Sequence, residues 1–388
     1  MSDLIAGLLA GLIADIETLV RCESPSSDHE AVARSAEVVA GIGRRLLGAE
    51  PERLVTDGCT HLRWRFGDGP PRVLLLGHHD TVWPLGSLRT HPFSVEDGIL
   101  RGPGCFDMKA GVVMALHAVA ALPDRAGVAI LVTGDEEIGS PLSRSLIEDE
   151  ARGCDAVFVL EASAGGGALK TRRKGVSRYW IEVEGRAAHA GLEPEKGVNA
   201  GIEVAHQILA VAALADPDRG TTVVPTALSA GTTTNTVPAA ATVAVDARVW
   251  DAAEQDRVDR AVRSLAPVLP GARIRIGGGI NRPPLQAAAS AELFALAGEL
   301  AGGLGLGPLT QAAVGGASDG NFTAGLGIPT LDGLGAVGGG AHADDEHVVV
   351  GELPRRTALL AALTETVLRQ GTSSARTNTP GESRAGQR

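Results

Sequence analysis

The sequence is poor in aromatic residues and in cysteine, and it carries no excess of positive charge. Only 3% of its 388 residues are aromatic, so Val, Leu, Ile and Ala must build its cores. The formal net charge of -11 argues against a nucleic-acid-binding protein, for which a basic patch is expected. The four cysteines lie far apart and form no CxxC pair, which excludes a disulfide framework and zinc-finger spacing. We therefore expect a protein of the reducing cytoplasm that binds no nucleic acid.

The two ends of the chain show no membrane-spanning pattern. Residues 371–388 are polar and rich in Pro, Gly and Ser, and we expect them to form a disordered tail. The first twenty residues have no basic start and include acidic residues, so we expect neither a signal peptide nor a membrane span. Apolar residues recur there at steps of four and three, which is typical of an amphipathic helix. They are Ile5, Leu9, Leu12, Ile16 and Leu19.

Short apolar segments predict an α/β sheet. They cover residues 73–77, 128–134 and 156–161, and they resemble buried parallel strands, which are apolar on both faces because helices cover both sides. A helical pattern over 107–122 lies between the first two. This order predicts a mixed, mostly parallel sheet with helices on both faces. A chain of 388 residues is too long for one compact core, so we expect two domains.

Residues 175–279 follow a different pattern. Their alternating and helical segments come in the order β-α-β-β-α-β, which is that of a ferredoxin-like split unit. Glycines at Gly175 and Gly277–Gly279 suit the hinges of such a unit. We therefore expect an inserted ferredoxin-like α+β domain at 175–279, within a larger domain formed by residues 1–174 and 280–370.

Polar side chains follow each of the three buried strands. In open α/β sheets, ligands bind beyond the carboxyl ends of the strands, so these side chains should line one crevice. Asp107, at the start of a helix, and His342, on a glycine-rich loop, are further candidates. The strand-end residues are His78, His79 and Asp80 after the first strand, Asp135, Glu136 and Glu137 after the second, and Glu161 after the third.

A metal cluster explains how so many carboxylates can share one crevice. Without cations, they would raise one another's pKa values and destabilise the fold. Mixed His and carboxylate sets suit Zn²⁺ or related divalent ions, and five ligands with one shared carboxylate fit two metals about 3.5–4 Å apart. Each residue alone also has a structural interpretation, since acidic residues favour helix N-termini and Asp107 can cap a helix. The metal hypothesis therefore rests on the occurrence of all these residues together.

Several motifs together resemble the M20 metallopeptidases, close to the glutamate carboxypeptidase and acetylornithine deacetylase branch. They occur in the family's order over most of residues 70–347, and they are GHHDTV, GPGCFDMKAG, TGDEEIGS, LEAS, GRAAHAGLEPEKGVNA, TTTNTVPAAATVAVDAR, GASDGNF, GIPTLDGLG and GGGAH. The resemblance implies a catalytic domain at 1–174 and 280–370 that holds two Zn²⁺, with Co²⁺ or Mn²⁺ as alternatives. It also implies a lid and dimerisation domain at 175–279 and a homodimer formed through that domain.

The resemblance assigns five metal ligands. Asp80 would orient one of them, His78, without itself binding a metal. The peptide bond after the bridging residue, Asp107, is expected to be cis. The implied ligands are His78 and Glu161 on the first metal, Glu137 and His342 on the second, and Asp107 on both.

The resemblance also assigns residues that act on the substrate. Glu136 would be the general base that takes a proton from the attacking water. His189, reaching across the dimer, would stabilise the developing oxyanion. Asn235, Arg248 and Arg282 resemble positions that hold a substrate carboxylate, which suits the two-pronged guanidinium group. A surface salt bridge is the alternative role for Arg248.

The implied activity is hydrolysis of a peptide or N-acyl bond beside a free carboxylate in a small-molecule substrate. A glutamate-carboxypeptidase-like peptidase is the leading hypothesis, an N-acyl-amino-acid deacylase is the alternative, and an inactive metal-binding protein is a weaker third. The glutamate-releasing enzymes carry a lysine where Ala168 aligns here, and Lys170 follows two residues later. This departure weakens the prediction of glutamate specificity, although residues 172–174 are also cationic.

Overall fold

The computed structural model describes residues 2–376, together with the side chains of residues 7–370. The chain splits into two compact units. Unit 1 comprises the described parts of Met1–Thr171, Ala288–Ala312 and Leu326–Arg388, and unit 2 comprises Arg172–Ala287 and Ala313–Gly325.

The secondary structure of the described residues alternates helices and strands. The helices are α1 (Ser2–Val20), α2 (His29–Leu47), α3 (Ala110–Ala120), α4 (Arg144–Ala151), α5 (Ala200–Ala212), α6 (Ala252–Arg263), α7 (Ala287–Gly303), α8 (Gly320–Gly325) and α9 (Leu353–Arg376). The strands are β1 (Glu52–Thr56), β2 (Cys59–Arg65), β3 (Val73–His78), β4 (Ser94–Glu96), β5 (Ile99–Arg101), β6 (Val128–Thr133), β7 (Ala156–Val159), β8 (Leu169–Arg173), β9 (Gly175–Glu184), β10 (Thr222–Ala230), β11 (Ala240–Val249), β12 (Arg273–Arg282), β13 (Gln311–Val314), β14 (Thr330–Leu331), β15 (Gly338–Gly339) and β16 (His347–Val349).

Unit 1 is built on a mixed six-stranded sheet in the order β1-β2-β6-β3-β7-β14. The pairs β6/β3, β3/β7 and β7/β14 are parallel, whereas β1/β2 and β2/β6 are antiparallel. The three apolar segments of the sequence are β3, β6 and β7, as predicted. The predicted α/β class is therefore confirmed.

Helices cover both faces of this sheet. Alternate residues of β3 point to opposite faces, and all four from Val73 to Leu76 are inaccessible to solvent. Val73 and Leu75 belong to the core that also contains side chains of α1, α2, α3 and α9. On the opposite face, Glu150 of α4 accepts hydrogen bonds from Arg63 and Arg65 of β2.

The structure has the predicted helix at the start of the chain, but its last helix extends into the predicted disordered tail. Leu12, Ile16 and Leu19 of α1 are fully buried, as expected of an amphipathic helix. Among the described residues, no helix is both long and apolar enough to cross a membrane. Helix α9 continues to Arg376, beyond the predicted start of the tail at 371. The rest of the predicted tail, 377–388, lies outside the described residues.

Unit 2 contains the elements β9-α5-β10-β11-α6-β12 in chain order and an antiparallel sheet in the order β10-β11-β9-β12. This is the ferredoxin-like arrangement that the sequence predicts for residues 175–279. The last strand does not stop at the predicted glycine hinge, because Gly277–Gly279 pair with β9 and the strand continues to Arg282. The side chains between α5, α6 and the sheet form a separate apolar core.

The main sheet places the polar strand ends at one edge. Because β3 and β6 are parallel and in register, His78 pairs with Thr133 at the end of both strands. Glu136 and Glu137 follow β6 in a short helical turn, and Glu161 follows β7. A smaller antiparallel sheet, β15-β16-β5-β4, carries the loop with His342 between β15 and β16.

Candidate metal centre

Asp107 lies between two histidines. Its Oδ1 atom lies 3.5 Å from Nε2 of His78, and its Oδ2 atom lies 3.3 Å from Nε2 of His342. On the outer sides, His78 Nε2 is 3.7 Å from Glu161 Oε1, and His342 Nε2 is 3.2 Å from Glu137 Oε2. The structure thus brings together all five side chains that the sequence suggests as metal ligands.

The donor atoms of these side chains suit a divalent metal. His78 Nε2, Asp107 Oδ1 and Glu137 Oε1 are buried and have no hydrogen-bond partner among the described residues. Buried polar atoms of folded proteins almost always have partners, so three neighbouring exceptions require an explanation. Ligand atoms of His78, Asp107 and Glu137 all lie within 4.8 Å of one another. Imidazole nitrogens combined with carboxylate oxygens are a donor set that Zn²⁺ and related ions prefer.

The pKa values of these groups show how strongly the cluster attracts positive charge. Contacts with Asp107 and Glu137 raise the pKa of His342 to about 10. Burial disfavours the charged form of Asp107, but contacts with His342 and His78 outweigh it and lower the pKa of this carboxyl. Burial raises the pKa of Glu137. Protons on the histidines therefore balance the carboxylates, and metal ions can replace those protons.

Asp80 fixes two parts of the cluster at once. Its carbonyl oxygen lies 3.0 Å from Nδ1 of His78, which leaves Nε2 facing Asp107. Its carboxylate accepts hydrogen bonds from the backbone N–H groups of Glu136 and Glu137, each at 3.2 Å. The hydroxyl of Ser26 donates a further one at 2.6 Å. Nothing in the local sequence around Ser26 indicated this contact.

The loop before Asp107 is held from the C-terminal part of the chain. The peptide bond between Asp107 and Met108 is cis, as the resemblance implies. The carboxylate of Glu346 accepts hydrogen bonds from the backbone N–H groups of Phe106 and Asp107 at 2.9 and 3.0 Å. Sequence analysis missed Glu346, and its only signal was the acidic stretch that follows His342.

Lys170 is a second residue that sequence analysis did not assign to the site. Its Nζ atom lies 3.7 Å from Oε2 of Glu161, and its side chain is largely buried. Its backbone N–H donates to the carbonyl oxygen of Asp332 at 2.9 Å, which fixes this part of β8. A cation thus lies beside the outermost carboxylate of the cluster.

A second group of potential metal ligands is less suited to a metal than the first. Cys59, His61 and Asp135 are buried, and their ligand atoms lie within 4.8 Å of one another. Burial raises the pKa of the Cys59 thiol to about 12, whereas a metal ligand must be a thiolate. Nδ1 of His61 accepts a hydrogen bond from the backbone N–H of Gly134, which leaves the proton of a neutral ring on Nε2.

The remaining predicted residues lie in unit 2. His189 is exposed, and its Nδ1 atom accepts hydrogen bonds from the backbone N–H groups of Gly191 and Leu192, both at 3.1 Å. Asn235 is also exposed, and its carbonyl oxygen accepts from the N–H of Ala190. The two residues therefore lie in neighbouring segments of unit 2.

The two arginines have different surroundings. Arg248 forms an ion pair with Asp246 at 2.9 Å and donates to the carbonyl oxygen of Gly315, and its side chain is 36% exposed. The side chain of Arg282 is only 5% exposed and forms an ion pair with Asp319 at 2.9 Å. An ion pair buried in this way is typical of a structural cation.

Comparisons with known proteins find relatives that cover most of this chain. Residues 74–366 match the model of peptidase family M20/M25/M40. The chain is 31% identical over 373 residues to carboxypeptidase G2 of Pseudomonas sp. (strain RS-16), covering 91% of this chain and 88% of the relative. It is 30% identical over 371 residues to the succinyl-diaminopimelate desuccinylase of Xanthomonas euvesicatoria pv. vesicatoria, covering 87% of this chain and 96% of the relative.

Solved structures share the fold. An M20 family metallo-carboxypeptidase from Sulfolobus solfataricus aligns with a TM-score of 0.72 at 17% identity, covering 93% of this chain and 99% of that one. A tripeptidase from Staphylococcus aureus aligns with a TM-score of 0.70 at 21% identity, with the same coverage. The extent of the family match and the identity to curated relatives show that this chain belongs to peptidase family M20/M25/M40 and is a hydrolytic enzyme.

Proposed function

We propose that the protein is a di-zinc metallohydrolase of the cytoplasm that cleaves an amide bond beside a free carboxylate, as a carboxypeptidase does. The observation that supports this most is Asp107, whose two oxygens each face a different histidine. A carboxylate shared in this way is what a two-metal site requires. The similarity to carboxypeptidase G2 favours a peptide substrate.

The ligand set divides around Asp107. His78, Asp107 and Glu161 would hold a first ion, and Asp107, Glu137 and His342 would hold a second. Zn²⁺ suits these donors best, with Co²⁺ or Mn²⁺ as alternatives. Bound there, the ions would lower the pKa of a water molecule towards neutrality and polarise the substrate carbonyl.

Glu136 is the residue that we assign as general base. It is buried, its backbone is held by Asp80, and its carboxylate lies within 4.8 Å of ligand atoms of His78 and Glu161. In this position, Glu136 accepts a proton from the attacking water and passes it to the nitrogen of the leaving amine. His189 would donate a hydrogen bond to the oxyanion from the other subunit of a homodimer.

Arg248 and Asn235 are the residues that we assign to the substrate carboxylate. Both are accessible in unit 2, and the Arg248 guanidinium keeps N–H groups beyond those used by Asp246 and Gly315. Arg282 is already neutralised by Asp319, so we assign it the role of supporting this part of unit 2. We assign Lys170, which lies beside Glu161, to an acidic side chain of the substrate.

An N-acyl-amino-acid deacylase is the second candidate function, because relatives at 30% identity include desuccinylases. The two can be separated by assaying dipeptides and folate-like substrates against N-acetyl and N-succinyl amino acids, with metal content measured on the same sample. We expect about two divalent ions per chain and activity that chelation removes and Zn²⁺ restores. Protein that holds no metal and keeps its activity in chelator would contradict the proposal.

A further inference from the structure

Glu346 is buried, although the loop residues that precede it are exposed. The residue is 4% exposed, and both carboxylate oxygens accept hydrogen bonds. Oε1 accepts from the backbone N–H groups of Phe106 and Asp107 at 2.9 and 3.0 Å. Oε2 accepts from the N–H of Gly104 at 2.8 Å and from Nε1 of Trp83 at 2.7 Å. Four N–H groups thus converge on one carboxylate.

Among the described residues, hydrogen bonds and not an ion pair stabilise the Glu346 carboxylate. Within the described part of the chain, no Lys, Arg or His side chain forms an ion pair with Glu346. Burial raises the pKa of its carboxyl, and the four N–H groups work against that rise. A buried carboxylate costs free energy unless hydrogen bonds satisfy it fully, so the segments that supply those bonds are tied to it.

The contacts of Glu346 join three segments that carry residues of the metal centre. Trp83 lies three residues after Asp80, and Gly104 and Asp107 lie in the loop that presents the shared carboxylate. Glu346 itself lies in the same loop between β15 and β16 as His342. That loop is compact, because the Glu346 N–H donates to the carbonyl oxygen of Ala343 at 3.0 Å.

We propose that Glu346 is a positioning residue that holds Asp107 in place relative to His342, and that binding of the second metal ion depends on it. Glu346 links Asp107 and His342, and both of these residues are proposed ligands of the second ion. His78 and Glu161, which would hold the first ion together with Asp107, make no hydrogen bond to Glu346 in the described structure. This inference rests on the proposed two-metal function.

Stepwise metal binding tests it. The variant Glu346→Gln keeps one carbonyl acceptor but replaces the other oxygen with an NH₂ group, which cannot accept a hydrogen bond, so two of the four N–H groups lose their acceptor. Asp344→Asn, two residues away and 94% exposed at the side chain, removes the same charge from the same loop and is the matched control. Metal-free protein is titrated with Co²⁺ by calorimetry, and the visible spectrum of the bound ions is recorded.

We expect two tight binding steps in wild type and in Asp344→Asn. In Glu346→Gln, the second step should weaken by about 10–100-fold, which is typical when a partner of a metal ligand is lost, while the first step changes less. The spectrum should change in parallel with that step. Wild-type affinity at both steps, or an equal loss at both, would overturn the inference.

A milder variant keeps the test informative if Glu346→Gln does not fold. Trp83→Phe removes one of the four donors and leaves the three backbone ones, so we expect a smaller weakening of the same second step. Unchanged second-step affinity in Trp83→Phe, with Glu346→Gln unfolded, would also count against the inference. Failure of wild type to bind any ion would instead contradict the proposed function.

Discussion

Two adjacent glutamates in the metal centre differ in what their side chains face. Glu137 contacts His342 directly, with Oε2 3.2 Å from Nε2, so its carboxylate is committed to the ligand cluster. The carboxylate of Glu136 instead lies near ligand atoms of His78 and Glu161. Asp80 holds both through their backbone N–H groups, so a change in either side chain should leave the turn in place.

Replacement of Glu136 by Gln should separate catalysis from metal binding. Without a base, kcat should fall by about 10²–10⁴-fold, the usual contribution of a positioned general base. Metal content measured by plasma emission spectroscopy should remain at the wild-type value. Turnover near the wild-type rate would refute the assignment of Glu136, and loss of metal would make it a ligand.

Changing each of the two arginines to Ala should affect a different quantity, which is KM for Arg248 and the free energy of unfolding for Arg282. Arg248→Ala should raise KM by roughly ten- to hundredfold, because a charge-assisted hydrogen bond contributes about 1.5–3 kcal/mol, and should change the free energy of unfolding little. Arg282→Ala removes a buried cation that pairs with Asp319 and should lower that free energy by about 3–5 kcal/mol in a urea titration. A large KM effect in a stable Arg282→Ala protein would return Arg282 to the substrate site.

At the scale of elements, the metal centre depends on how closely α3 packs against the end of β7. Gly111, in the first turn of α3, has no room for a side chain, because a Cβ there would overlap the carbonyl oxygen of Leu160. Leu160 directly precedes the ligand Glu161, and α3 begins just after Asp107. Glycine at this position therefore lets two ligand-bearing segments approach at backbone distance.

Gly111→Ala should destabilise the protein, and a second helical glycine provides the control. Overlap with backbone must be relieved by moving α3 or β7, at a cost of about 1–3 kcal/mol. Gly298, in α7, has no atom within 4 Å of the position that a Cβ would occupy, so Gly298→Ala should stabilise by about 0.4–1 kcal/mol. Urea unfolding of both variants checks the signs, and a stable Gly111→Ala protein would show that the close approach is dispensable.

At the scale of the whole molecule, the proposed homodimer needs an apolar surface, and unit 2 carries exposed apolar side chains. Apolar side chains are exposed on α5 at Ile202 and Leu209, seven residues apart and hence on one face of the helix. The edge strand β10, packed beside α5, exposes Val224 and Leu228. Exposed apolar side chains on neighbouring elements favour a protein partner, and we propose that a second copy of this chain is that partner.

Leu209→Asp should dissociate the proposed homodimer and reduce activity. Leu209 is 70% exposed in unit 2, and Val55, 64% exposed on β1 of unit 1, provides a matched control. We expect Leu209→Asp to sediment as a monomer with lowered kcat, since His189 would no longer reach the other subunit, while Val55→Asp matches wild type. A wild-type protein that is monomeric and fully active would contradict both the dimer and the role of His189.

The sequence by itself determined the α/β class, the ferredoxin-like unit and most of the residues that meet in the candidate metal centre. Three apolar runs specify parallel strands, and parallel strands end at one edge, so local patterns and one topological rule bring residues 78–80, residues 135–137 and Glu161 together. The choice of His78, Glu137 and Glu161 as the ligands among them came from the family resemblance. Asp107 and His342 needed the family resemblance as well, because neither follows a strand of the main sheet.

Only the tertiary structure decided which side chains support that centre. Glu346 contacts Asp107 across 239 positions of sequence, and Ser26 contacts Asp80 across 54, distances over which no periodicity or motif carries information. The pairing of Arg282 with Asp319 likewise depends on two segments meeting in a buried place. Ligand types follow from chemistry that is visible residue by residue, whereas their partners follow from packing, which exists only once the chain has folded.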